Sequence, residues 1–321
     1  MDPTFHKAAA SMLKARWRRA ALLIGAALVT LPCFFMPKLV LPGPTYRWLI
    51  VIDITESMNV RDIAGRGPEH SRLDAAKESV VAALRALPCG SQVAIALFAG
   101  VDTLNLFEPL EVCSHFDAMG QVVSRLDWRM GWIGDSRIEN GLTHAIGEAA
   151  RMKLNLLFVT DGDETPRRSA ARLTGLQALR GRIKGTLVGV GGESLQPVPR
   201  LDEDNQIVGY WQAADAVREG FHPNNVAALT GLEAGVASPG GGLDDVDEHL
   251  STMRGRYLME LGTAAGFDFV HARSPSEFAT TATRPAAADI SHAPRDVRPL
   301  FALLAALLVV LDRLLGANRR R

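Results

Sequence analysis

The sequence predicts an α/β domain, a doubly wound and mostly parallel sheet, flanked by two transmembrane helices. Three observations lead there. A nearly continuous apolar run, Y-R-W-L-I-V-I-D-I-T from Tyr46 to Thr55, ends at an acid; such runs mark strands covered on both faces, as in parallel sheets. Apolar runs then alternate with stretches of helical spacing, the pattern of βαβ units with right-handed crossovers. Finally, apolar segments lie near both ends of the chain, Ala21 to Met36 and Pro299 to Leu311.

The N-terminal segment follows a basic stretch, Lys14, Arg16, Arg18 and Arg19. Extended through Pro37 to Leu41, with Lys38 snorkelling, it reaches the ~20 residues a helix needs to cross a bilayer. A cleaved signal peptide would look similar, but no A-x-A site follows the run. Cys33, in L-P-C-F, lacks the small residue expected before a lipidated cysteine. The reading taken is a basic cytoplasmic N-terminus (1–20) and an uncleaved anchor (21–41). At the other end, residues 299–317 span about a bilayer, with Asp312 and Arg313 near one end. A buried or surface-lying helix is the alternative. A basic tail (318–321) follows. Arginine-rich outer flanks place both termini in the cytoplasm and the central domain (46–283) in the periplasm.

Within that domain the expected elements follow in order. The strand from Tyr46 leads to a helix over Arg72 to Leu87, with Leu73, Ala76, Val80, Ala83, Leu84 and Leu87 on one face. Pro88-Cys89-Gly90 stops it. Gln92 to Phe98 reads as a strand and Val101 to Phe107 as its hairpin mate. Ile138 to Met152 is amphipathic, Leu154 to Val159 is a strand ending at Thr160-Asp161-Gly162, and Ser169 to Leu179 is a helix. Lys184 to Val190 is a strand. Pro197 to Trp211 reads as a hairpin turning at Asp204-Asn205. A helix over Val246 to Gly262 and a strand over Phe267 to His271 close the domain. The alanine- and proline-rich stretch 284–298 reads as a linker.

Hydrophobic residues make up 47% of the chain, too many for disorder. Lys plus Arg and Asp plus Glu are equal at 35 each, so no global field recruits nucleic acid. Three cysteines are too few for a disulfide scaffold. Cys33 belongs to the anchor; Cys89 and Cys113 form one bridge or remain two buried thiols.

Ligands of doubly wound sheets bind outside the carboxyl ends of the strands. Three polar clusters fall there: D-I-T-E-S (Asp53 to Ser57), G-D-S-R-I (Gly134 to Ile138) and T-D-G-D (Thr160 to Asp163). They supply carboxylates and hydroxyls, with no sulfur or imidazole. All-oxygen sites suit Mg²⁺, Mn²⁺ or Ca²⁺ and disfavour zinc and copper. The opposing reading makes Asp53 and Asp161 mere capping or turn acids.

D-I-T-E-S resembles the D-x-S-x-S signature of the metal-ion-dependent adhesion site in von Willebrand factor A (vWA) domains, with Thr55 keeping the hydroxyl of the usual first serine. Gly134-Asp135-Ser136 resembles the family's second loop, with Ser136 in the place of a threonine, and Asp161 matches the third-loop aspartate. The resemblance implies a vWA (Rossmann-like) fold over residues 46–283. It implies a divalent cation, Mg²⁺ first and Mn²⁺ or Ca²⁺ next, carried by Asp53, Thr55, Ser57, Ser136 and Asp161. It also implies a partner protein whose carboxylate completes the coordination. Asp163, Glu164 and Arg61, close to these loops in sequence, are expected to select that partner.

The strings S-M-N-V-R-D and R-L-D-A-A-K (Ser57 to Asp62, Arg72 to Lys77) are similar to those of BatA-type bacterial membrane proteins. Y-R-W-L-I-V-I-D-I-T-E-S-M-N-V-R-D and L-P-C-G-S-Q-V resemble the MxaL type within that group. MxaL-type proteins are accessory proteins of methanol oxidation, linked to placing calcium in a periplasmic quinoprotein dehydrogenase. The implied function is assembly by gripping a partner, without catalysis. One alternative is a BatA-like scaffold working with a MoxR-type ATPase in envelope stress tolerance. The other, a metal-dependent hydrolase, lacks a histidine pair or base beside the acids.

Overall fold

The computed structural model describes residues 3–35, 38–131, 136–164, 173–212 and 249–317. They divide into two units, Pro44–Ile290 and a second made of Met1–Gly43 with Ser291–Arg321.

In the terminal unit, helix α1 (Pro3–Phe34) precedes strand β1 (Lys38–Thr45). The helix therefore ends short of Leu41. Lys38–Thr45 reads K-L-V-L-P-G-P-T, and prolines lack the N–H that a helix interior needs. Near the other terminus, β12 (Asp289–Asp296) pairs with β1, and helix α8 (Arg298–Ala317) follows. The stretch expected as a linker thus holds a 3-10 turn (Pro285–Ala287) and a strand. The helices pack on each other, with Gly25 facing Leu308 and with Ala26 and Ala305 buried. Among the described residues, no helix is long and apolar enough to cross a membrane.

The central unit contains β2 (Arg47–Asp53), α2 (Arg72–Ala86), β3 (Gln92–Ala99), β4 (Asp102–Glu111), α3 (Val112–Ser124), α4 (Ile138–Met152), β5 (Asn155–Thr160), α5 (Thr174–Ala178) and β6 (Gly185–Gly189). Short strands β7 (Gln196–Pro197), β8 (Pro199–Leu201), β9 (Ile207–Tyr210) and β10 (Leu250–Ser251) precede α6 (Gly255–Ala265), β11 (Asp268–His271) and α7 (Pro275–Ala282). The main sheet has the order β11-β6-β5-β2-β3-β4. Every pairing in it is parallel except β3 with β4, the expected hairpin.

Strand β2 is one of the two middle strands, and burial on both faces explains its apolar run. Ile50 and Ile52 bury into a core with α2, α3 and α7; Leu49 and Val51 bury into a second core with α4 and α6. Truncating any of these four side chains to Ala costs about 2–5 kcal/mol. Ser71 caps α2 in a reciprocal box with Asp74, which sets the helix start at Arg72.

Helices α3 and α7 lie where the sequence reading placed none. Glu111 caps α3 by accepting from the N–H of Cys113 and Ser114, and Ser274 caps α7. The helix expected from Val246 starts at Gly255, after β10, which pairs with β7; residues 246–248 lie outside those described. Of the helix expected over Ser169 to Leu179, Thr174–Ala178 is described. Cys89 and Cys113 form a disulfide with Cα atoms 5.2 Å apart, which closes the question the sequence left open.

Candidate metal centre at the strand ends

The register sets Ile52 of β2 beside Val159 of β5, and Asp53 beside Phe98 of β3. Asp53 and Asp161 therefore leave the sheet at the carboxyl ends of neighbouring strands. Both are fully buried.

In the first loop, Asp53 Oδ1 accepts hydrogen bonds from the N–H of Thr55 (2.9 Å) and from its Oγ1 (2.6 Å). Thr55 Oγ1 lies 3.3 Å from Ser57 Oγ. Alternate residues thus converge because a 3-10 turn, Glu56–Asn59, follows the strand directly. From the third loop, Thr160 Oγ1 donates to Asp53 Oδ2 at 2.6 Å. Gly162 turns that loop at φ +81°, and a Cβ there would stand 2.9 Å from Leu258 Cγ.

From the second loop, Ser136 is buried and bridges to Gly100 at the end of β3. Its Oγ donates to the carbonyl of Asp163 at 3.1 Å, which ties the second loop to the third. Gly134 and Asp135 lie outside the described residues.

Burial pushes the Asp53 carboxyl up to about 7, with the nearby charge of Asp161 adding to the effect; the hydrogen bonds from Thr160 and Thr55 oppose it. Two buried carboxylates this close repel each other, and a divalent cation would relieve that repulsion. The donor set fits such an ion: Asp53, Thr55, Ser57, Ser136 and Asp161 offer hard oxygens on three loops. A group combining Cys89, Glu111 and Cys113 also exists, but its sulfurs are already joined.

Arg72, at the start of α2, joins the buried acids although no motif signals it. Its guanidinium is fully buried. It donates to Asp161 Oδ2 at 2.8 Å, to Asp62 Oδ1 and Oδ2 at 2.9 and 2.6 Å, and to Ser251 Oγ at 2.7 Å. Arg72 and Asp62 sit in the quoted strings R-L-D-A-A-K and S-M-N-V-R-D, yet nothing in their spacing says that they meet. Ser251 carries no sequence signal at all.

The expected rim is different. Asp163 and Glu164 are buried, at 7% and 2% exposure, where a rim would have them exposed. Glu164 Oε1 accepts the N–H of Glu139 at the start of α4 (3.2 Å). Burial and the charge of Glu164 raise the Tyr257 hydroxyl above its ordinary range. Arg61 does lie at the edge, where it donates to Glu69 (3.4 Å) and to the Asn205 carbonyl (3.3 Å). That carbonyl belongs to the β8–β9 turn. Asn205, at φ +59°, also accepts from Trp128 Nε1 (2.8 Å) and donates to Asp127 (3.0 Å). The predicted hairpin thus leans over the first-loop side of the site.

Residues 48–164, from β2 through the third loop, match the model of the von Willebrand factor type A domain. That stretch is similar to a vWA domain. No curated protein matches it. Solved structures similar to it include an aerotolerance-related membrane protein from Bacteroides fragilis, at 14% identity over 74% of this chain and 96% of that one, TM-score 0.47. Another is BatB from Bacteroides thetaiotaomicron, at 16% identity over 74% of this chain and 95% of that one, TM-score 0.46. A third is proximal thread matrix protein 1 of the mussel byssus with a zinc-occupied MIDAS motif, at 12% identity over 81% and 48%, TM-score 0.39.

Proposed function

We propose that this chain is a membrane-anchored, divalent-metal-dependent protein-binding module that works by docking a partner rather than by catalysis. The observation that carries this reading is the buried pair Asp53 and Asp161, set among hydroxyls at adjacent strand ends. Asp53, Thr55, Ser57, Ser136 and Asp161 would hold the ion, Mg²⁺ first, with Mn²⁺ or Ca²⁺ as substitutes. When bound, the ion supplies a Lewis-acidic point for a partner's carboxylate. The protein's own part is to fix the loops, exclude water and orient what docks. Charges at the edge, Arg61 among them, govern on-rate and specificity more than affinity.

Seating of the terminal helices in the inner membrane, with the vWA domain facing the periplasm, belongs to the same proposal. On α1, Leu23, Ile24, Leu28 and Leu31 are exposed; on α8, Leu300, Leu303, Leu307, Val310 and Leu314 are exposed. Side chains of this kind are at home in hydrocarbon. The disulfide of the central domain suits an oxidising compartment.

For the partner, the MxaL-like strings favour a periplasmic quinoprotein (methanol) dehydrogenase or its accessory proteins, including its calcium loading. The second reading is a BatA-like scaffold working with a MoxR-type ATPase; the similarity to an aerotolerance-related protein and to BatB gives it its context. Affinity purification of the full chain from detergent-solubilised membranes, wild type against Asp53→Ala, separates them by mass spectrometry. Dehydrogenase subunits carried by wild type and lost with the variant support the first reading. An ATPase or other vWA proteins behaving so support the second. Identical partners on both samples would sink metal-mediated docking.

A further inference from the structure

We infer that Arg72 and Asp62 form a buried positioning pair that sets the aim of Asp161; the inference rests on the metal reading above. Neither residue belongs to the proposed ligand set. Asp62 takes the guanidinium in a two-point fork, at 2.9 and 2.6 Å, and its side chain is 6% exposed. That fork neutralises Arg72 from the side away from Asp161. The remaining nitrogen donates to Asp161 Oδ2 at 2.8 Å, while Oδ1 accepts the N–H of Asp163 at 3.0 Å. Each oxygen of Asp161 thus has one lone pair committed and one left. The carboxylate loses its freedom to rotate while each oxygen keeps a lone pair for a cation.

The surroundings are built around this side chain. Gly191 has φ +122°, and a Cβ there would lie 2.5 Å from Arg72 Nε. The N–H of Gly192 donates to Asp62 Oδ2 at 3.0 Å, and Ser251 holds the same guanidinium nitrogen as Asp161. The carbonyl of Asp161 accepts the N–H of Arg254 at 2.8 Å. A lone Arg beside Asp161 would oppose a divalent ion by charge. An Arg already paired with Asp62 acts as an oriented donor instead.

The test uses the full chain in detergent, titrated with Mn²⁺. Free Mn²⁺ is followed by EPR, and bound Mn²⁺ by its enhancement of water-proton relaxation. Wild type binds and Asp53→Ala does not if the metal reading is right; an inert wild type overturns that reading first. Given binding, Asp62→Asn exposes the Arg72 charge to Asp161 and weakens Mn²⁺ at least tenfold. Arg72→Lys keeps the charge without the fork; it weakens Mn²⁺ less and changes the relaxation enhancement. The double variant Asp62→Asn/Arg72→Gln restores net neutrality with amide donors and returns affinity toward wild type. Should Arg72→Lys fail to fold, Asp62→Asn and the double variant decide alone. If they lower only the melting temperature and leave Mn²⁺ affinity and relaxation unchanged, the pair is structural and the inference is overturned.

Discussion

Two carboxylates at opposite edges of the same sheet are treated in opposite ways. At the edge where β3 begins, Glu111 accepts the N–H of Gly90 at 2.7 Å, of Ser114 at 2.7 Å and of Cys113 at 3.2 Å. Burial works against its charge, but those donors outweigh it and hold the carboxyl below the usual range. At the edge where β2 ends, Asp53 is more deeply buried and faces Asp161, and its carboxyl is pushed up to about 7. Glu111 is satisfied by the fold, next to a disulfide that staples the same two loops. Asp53 is held by two hydroxyls and one backbone N–H, and its burial beside Asp161 still favours the protonated form. An acid served by backbone donors keeps its charge at little cost; one buried beside another acid is pushed toward its neutral form.

The largest expected effect breaks the metal edge. Asp53→Ala or Asp161→Ala should weaken Mg²⁺ or Mn²⁺ binding roughly a thousandfold, about 4 kcal/mol, read by calorimetry. Unchanged binding would refute the ligand assignment. Next comes the stapled edge. Cys89 and Cys113 are separated by 24 residues in sequence, so Cys89→Ala/Cys113→Ala should lose about 3 kcal/mol of stability. Ion affinity should stay at the wild-type value, since the staple lies at the other end of the strands; a tenfold change would mean that the edges are coupled.

A smaller effect concerns pH. The folded-state pKa of Asp53 is raised, so ionising it costs stability above its unfolded value and up to about 7. In chelator the domain should therefore lose several degrees of melting temperature between pH 5 and 8. Added Mg²⁺ should shrink that loss, and Asp53→Asn should remove its share of it. A melting temperature flat with pH in chelator would show that Asp53 is not held as described. Glu111 has the opposite sign: its stabilisation is present above its unfolded pKa and fades as pH falls through the lower folded value. The smallest expected effect is Glu111→Ala, which removes the cap of α3 and should cost about 1 kcal/mol with no change in ion affinity.

Much of this architecture was legible from the chain. The apolar runs at Arg47–Asp53 and Asn155–Thr160 ended where parallel strands deliver ligands, and helical spacing located α2 and α4 to within a residue. The turn at Asn205 was readable because few residues other than glycine tolerate positive φ. Helices α3 and α7 were not, because their apolar faces are short and their starts rest on local caps, Glu111 and Ser274. Asp163 and Glu164 were expected at an exposed rim and are buried, since proximity in sequence says nothing about which way a loop folds.

By itself the sequence determined the main strands and helices of the sheet and the oxygen-bearing side chains at its strand ends, because those follow from periodicity and residue type. Only the tertiary structure decided that Cys89 meets Cys113 and that Ser136 ties to the third loop. It alone decided that Arg72 reaches both Asp62 and Asp161, and that β1 and β12 pair where an anchor end and a linker were expected. These are contacts between residues far apart in the chain, many of them long charged or polar side chains whose partners no local pattern encodes. They are settled by how the strands and helices pack around one another.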